Sequence, residues 1–386
     1  MRSTATRANP SAHGLLVDAI RSELSGEPAR LDVGGRRDAE WQAVLACAEW
    51  HRVTTVIDVR LAATPSVPVW VNAELVAARA QRIARRLLRE QVECDVLRVL
   101  GGEGIAAMPL KGAALTAAIL PTGVERDMSD LDLLVAEAEL DRAHELLAKA
   151  GYRSARGVGP WRHRPELLDP TGALPVELHR HVVEDPRDAA RWPPAELWAG
   201  AEECGGWVLP RKEDLLTHVC LHFLAGRSVR SEGALSQLRD VAWIMATSRL
   251  DWQAFEAAAR RHGVFERVRA VVGTARELGL VRDGYPLLDD TAEGRAAVRR
   301  FIVGRVLVDR PQVPLGDAGH DARATLWWAR VHFADRPAGE LTGRPDRNAL
   351  VASRSVAAWR LARQLGADPT QALRDHRTGR WLAGLD

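Results

Sequence analysis

The chain has 386 residues, 46% of them hydrophobic, and its 53 Lys+Arg nearly balance 51 Asp+Glu for a net charge of +2. This length and composition allow a substantial core and exclude global disorder, while the near-neutral charge, without a long like-charge run, argues against bulk nucleic-acid binding. No run of about eighteen apolar residues is present and Met1 to Pro10 lack an apolar signal core, so a soluble, cytoplasmic protein without a membrane partner is expected.

Residues 1–36 are polar and are expected to form a flexible N-terminus. Residues 37–100 read as an N-terminal helical segment. Trp41, Val44, Leu45, Ala48 and Val53 share a helical face, and residues 72–100 form one long helix with an arginine-rich face (Arg79, Arg82, Arg85, Arg86, Arg89). That face reads as solvated. In the segment 101–185, glycines break the helix at 101–104. A short apolar strand follows over 105–110, then a helix over 112–120, a Pro-Thr-Gly turn, and a strand over 130–135. An amphipathic helix over 139–150 ends at Gly151, a residue suited to a left-handed cap. A further strand over 173–182 carries Glu177. This alternation predicts a small α/β core with a mixed sheet. Residues 186–386 read as helical throughout, with helices at 213–225, 234–247, 251–262, 265–278, 292–308, 322–333 and 353–365. The thirteen tryptophans, among them Trp243, Trp252, Trp327, Trp328 and Trp359, read as core or interface residues.

Four cysteines (Cys47, Cys94, Cys204, Cys220) form no CxxC pair and no zinc spacing, and buried free thiols are expected. Lys111, Lys149 and Lys212 are the only lysines against fifty arginines. Lysine is a compact ammonium rather than a planar fork, so one kept in such a composition hints at a specific need.

Chemistry concentrates between residues 110 and 180. In Ser129-Asp130-Leu131-Asp132-Leu133 two carboxylates lie two apart, on one face of a strand. Neighbouring carboxylates repel unless a cation sits between them, and oxygen ligands suit Mg²⁺. Glu177 offers a third carboxylate on a neighbouring strand. Lys111-Gly112 opens a helix, where a glycine lets a phosphate approach closely and the lysine adds charge. His179 and His181 share Glu177's face in a regular strand. His218 and His222 stand at i, i+4 but lack a third ligand, so packing or substrate lining is the better reading. Asp240 beside Arg239 reads as an ion-pair anchor.

Pro109-Leu110-Lys111-Gly112, Arg126-Asp127-Met128-Ser129-Asp130-Leu131-Asp132, Gly151-Tyr152 and Val176-Glu177-Leu178-His179 resemble, in order and spacing, the uncharacterised nucleotidyltransferase family of the polymerase-β-like superfamily. Leu215 to His222 and Leu238 to Ile244 resemble its helical half. The resemblance implies an α/β nucleotidyltransferase core flanked by helices, and transfer of an NMP group from an NTP, with ATP first in view. It implies one or two Mg²⁺ ions on Asp130, Asp132 and Glu177, and phosphates held by Lys111, Gly112 and Arg126. His179, His222 and Asp240 would line the substrate or support the site. The acceptor is open, a small molecule or peptide being favoured over bulk nucleic acid. Many superfamily members carry Gly-Ser at the helix start; here Ala113 follows Gly112. That departure keeps two alternatives in play: an inactive nucleotide- or partner-binding module, and a toxin-like transferase acting on tRNA or protein.

Overall fold

The computed structural model describes residues 11–26, 31–62, 64, 66–154, 163–225, 232–285 and 306–307. The helices expected over 322–333 and 353–365, nearly all of that over 292–308, and Trp327, Trp328 and Trp359 lie outside these residues. Four helices come first: Ala12–Ser25 (α1), Asp38–Trp50 (α2), Thr54–Leu61 (α3) and the 33-residue Val69–Gly101 (α4). The α/β segment follows as Ala107–Pro109 (β1), Lys111–Ala118 (α5), Leu131–Val135 (β2), Leu140–Lys149 (α6), Arg153–Ser154 (β3), Leu167–Leu168 (β4) and Pro175–His179 (β5). Then come Pro186–Arg191 (α7), Pro194–Ala199 (α8), Glu202–Cys204 (β6), Trp207–Leu209 (β7), Lys212–Ala225 (α9), Ala234–Thr247 (α10), Trp252–Arg261 (α11) and Phe265–Glu277 (α12).

The five strands form one mixed sheet in the order β1-β2-β5-β4-β3. β2 is antiparallel to β1 and parallel to β5. Its sequence Leu-Asp-Leu-Leu-Val is buried along its whole length, as a strand covered on both faces requires. The register sets Asp132 opposite Glu177 and Leu134 opposite His179. Side chains alternate across the sheet. Leu131, Leu133 and Val135 join a core with Val96 and Leu100 of α4 and Ala143 and Leu147 of α6. Leu134, and with it Asp132, faces the opposite way, toward a second core. That core runs through α1, α2, α3, α5, α9, α10, α11 and α12 and includes Leu16, Trp41, Ile57, Leu115, Leu216, Leu238 and Phe255. The helices before and after the α/β segment thus form one continuous apolar body against the face that carries Asp132.

Several expectations need correction. Residues 12–25 are not frayed: they form α1, whose Leu15, Leu16, Val17, Ala19 and Ile20 are buried. Apolar residues at that helical spacing were a signal outweighed by the polar flanks. The region after residue 186 is not wholly helical, since β6 and β7 pair as a hairpin across Gly205-Gly206 and β7 packs on β1. Both glycines have positive φ (58° and 86°), the conformation a two-residue hairpin turn requires. The strand carrying Glu177 stops at His179 rather than running to 182. Cys47 and Cys220 are buried free thiols, but Cys94 and Cys204 are exposed. The arginine face of α4 is not uniformly solvated, because Arg82 and Arg89 are buried. No described helix is long and apolar enough to cross a membrane.

Candidate active site

A solvent-open cleft of about 1000 Å³ lies between the sheet and the helical body. Lys111, Gly112 and Ala113 at the start of α5 line it, as do Arg126, Ser129, Asp130, Asp132 and Glu177. Arg52, Glu232, Ser236, Gln237 and His222 close it from the helical side. Seven of the nine sequence candidates therefore line one cavity. The other two stand just behind its wall: His179 behind the carboxylates, and Asp240 behind Arg126.

The centre is a buried charge network. Asp132 Oδ1 accepts from Lys111 Nζ at 2.7 Å and from His179 Nε2 at 2.8 Å. His179 Nε2 also lies 3.2 Å from Glu177 Oε2. A carboxylate can only accept, so Nε2 carries a hydrogen and holds the two carboxylates at one point. His163 bridges to His179 in the backbone pairing and sets its Nε2 3.6 Å from Glu177. Sequence reasoning missed His163, because the stretch before β4 has no periodicity and only the fold brings it to the strand. His181 lies past the end of β5, where Glu137 and Arg180 supply its nearby charges. His218 is buried on α9.

The environments push the three carboxyls apart. Burial raises the Asp130 carboxyl, and the neighbouring Asp132 charge raises it further, against the pull of Lys111. Asp132 stays well below the usual carboxylate range: burial opposes this, but Lys111 and His179 outweigh it. The hydrogen bond with His179 lowers Glu177. Burial disfavours a charged His179, yet its hydrogen bonds to Asp132 and Glu177 raise its pKa. Titratable groups driven in opposite directions inside a cleft are a mark of functional sites.

Two local features shape the start of α5 and the wall beside it. Lys111 has φ +48°, a left-handed conformation that strains any residue but glycine. From that backbone its ammonium reaches Asp132 as α5 begins. At Gly112 an added Cβ would lie 2.5 Å from both Arg126 Nη1 and Met128 Sδ, so a larger residue there would push these two side chains aside. Arg126 is held by Asp240 of α10, with Nε 2.9 Å and Nη2 2.7 Å from its carboxylate. Burial works against the Arg126 charge, and Asp240 outweighs it.

The donor set fits a divalent cation. Asp132 and Glu177 each offer a ligand oxygen, and the candidate ligand atoms of these two and His179 all lie within 4.8 Å of one another; His179 Nε2 would join them only by giving up the hydrogen it shares with the carboxylates. Asp130 stands beside them with a carboxyl whose charge a cation would stabilise.

This architecture gathers one carboxylate on β2 (Asp132), one just before it (Asp130), a third on the parallel neighbour β5 (Glu177) and a Lys-Gly helix start around one cleft. The chain matches the family model for the uncharacterised nucleotidyltransferases over residues 37–279, and it belongs to that family. Neither the curated proteins nor the solved structures provide a match.

Proposed function

We propose that the protein transfers an NMP group from an NTP, ATP first among them, to a hydroxyl or phosphate of a small-molecule or peptide acceptor, in the cytoplasm and with Mg²⁺. The observation that carries this reading is the convergence of Asp130, Asp132 and Glu177 beneath the Lys111-Gly112 helix start. A divalent cation on Asp132 and Glu177, with Asp130 and His179 beside them, would offset charge on the α-phosphate and the leaving pyrophosphate. Lys111 holds the phosphates as a point charge, and Gly112 lets them reach the first turn of α5. Arg126, fixed by Asp240, adds positive charge at the same end. Glu177, oriented by His179, accepts the proton of the acceptor hydroxyl. The helical wall with His222, Ser236 and Gln237 selects the acceptor.

One observation favours a binding module instead: Lys111 and His179 already occupy Asp132 Oδ1, and Ala113 brings no hydroxyl. Pyrophosphate release separates the two readings. With Mg²⁺, an NTP and a cell-extract acceptor pool, the wild type releases pyrophosphate and Asp132→Ala releases at least about a hundredfold less. Equal release by the two proteins would refute the site. Calorimetric NTP binding with no release from either would establish the binding module.

A further inference from the structure

A second concavity, of about 960 Å³ and open to solvent, lies beyond Arg126 and Met128, between α4 and the loop over 121–128. Arg126 and Met128 line both cavities, so one thin wall divides it from the phosphate end of the cleft. Its α4 side presents Arg82, Arg85, Arg86 and Arg89, at the spacing of one helical stripe. Arginines on a solvated stripe are exposed and need no partner. Here Arg82 is 8% exposed. It commits Nη2 to Asp58, while its Nε and Nη1 are buried with no hydrogen-bond partner. A buried guanidinium with unused N–H groups is costly unless an acceptor reaches it. Arg85, at the mouth, is exposed and makes no hydrogen bond or ion pair among the described residues. Arg86 is shared by Glu125 at 3.2 Å and Glu90 at 3.6 Å. With Asp127, those are the acids of the lining, three against five arginines counting Arg126. Among the described residues no aromatic side chain lines the pocket, so they offer no stacking platform for a base.

We propose that this pocket is an anion subsite that takes a phosphate-class group, with Arg85 and Arg82 as its donors. Guanidinium forks match the geometry of phosphate oxygens. The group comes either from the polyphosphate tail of the nucleotide, passing Met128, or from a phosphorylated acceptor. Its role as a substrate subsite rests on the nucleotidyltransferase reading; its affinity for the anion does not.

The test is calorimetric titration of the full chain with inorganic tripolyphosphate and, separately, with ATP. The proteins compared are the wild type, the exposed-residue variant Arg85→Gln/Arg86→Gln, and Lys111→Ala, which removes the lysine of the main cleft. Tripolyphosphate affinity falls about tenfold in the double arginine variant, the size of one lost charge-assisted contact, and measurable tripolyphosphate binding survives in Lys111→Ala. ATP affinity falling in parallel assigns the subsite to the nucleotide tail; ATP affinity unchanged assigns it to the acceptor. Tripolyphosphate binding equal in the wild type and the double arginine variant, or absent from the wild type, overturns the subsite. Arginine-dependent binding without Asp132-dependent pyrophosphate release would sink the transferase and leave the anion site standing.

Discussion

Lys111 shows how one residue can carry opposing demands. Its backbone takes a left-handed conformation that costs a non-glycine residue about 1–2 kcal/mol, and its ammonium is the ion-pair partner of the buried Asp132. Alanine and glycine both remove the ammonium, but only glycine relieves the strain. Lys111→Gly is therefore expected to be more stable than Lys111→Ala by about 1 kcal/mol, while both weaken NTP binding alike. Urea denaturation of the pair checks this, and equal midpoints would show that no strain is stored there. At this scale the sequence was informative where types and spacing were local. Asp130, Asp132, Lys111 and Gly112 lie within 22 residues and share a strand–helix unit, and they meet in the cleft. His163, Arg52 and Ser236 were invisible because only the tertiary fold brings them in; nothing in their neighbours marks them.

The turn between β4 and β5 is organised by one carboxylate. Asp169 accepts from the backbone N–H groups of Thr171 (2.9 Å), Ala173 (2.8 Å) and Leu174 (2.7 Å) and from the Thr171 hydroxyl at 2.5 Å. Burial would raise its pKa; the Thr171 hydroxyl and these N–H groups outweigh it and hold it below the ordinary value. A depressed carboxyl contributes stability that is fully present above its unfolded pKa, about 3.9, and is lost as pH falls through its folded value. The wild type is thus expected to lose stability below about pH 4, and Asp169→Asn to be destabilised at neutral pH and to lose less on acidification. Denaturation midpoints at neutral pH and near pH 3 would show it; identical acid slopes would exclude it. This strand carries Glu177, so the turn also fixes the register of the third carboxylate. Long periodic elements such as α4 and the apolar run of β2 were legible from sequence. A strand beginning at Tyr152-Arg153, after the Gly151 cap, was legible as β3, but the two-residue β4 was not, because two residues show no period. The β6–β7 hairpin had a usable mark in Gly205-Gly206, which the surrounding helical pattern obscured.

For the whole molecule, the decisive contacts cross from the α/β segment to the helical body. Asp240 holds Arg126, and the adjacent Arg239, 1% exposed, binds Glu23 of α1 and donates to the Glu125 carbonyl at 2.9 Å. Two successive residues of α10 thus pin the 121–128 loop that leads to Asp130. Removing one partner of a buried pair leaves an uncompensated charge, at a cost of about 3–5 kcal/mol. Asp240→Ala is expected to lose about that much, whereas Arg126→Met/Asp240→Leu, which removes both charges, recovers most of it. Thermal or urea unfolding of the two variants decides the point, and additive losses would show that the two residues do not act as a pair. Glu23 lies before residue 37, where the family match begins. The loop is therefore anchored in part by a residue outside the matched region. A chain cut to the matched boundaries would keep every candidate ligand and still lose the guy-line that holds the 121–128 loop taut. In a transplant of this core onto another helical scaffold, the Arg239-Asp240 dipeptide and its two anchors would have to travel with it.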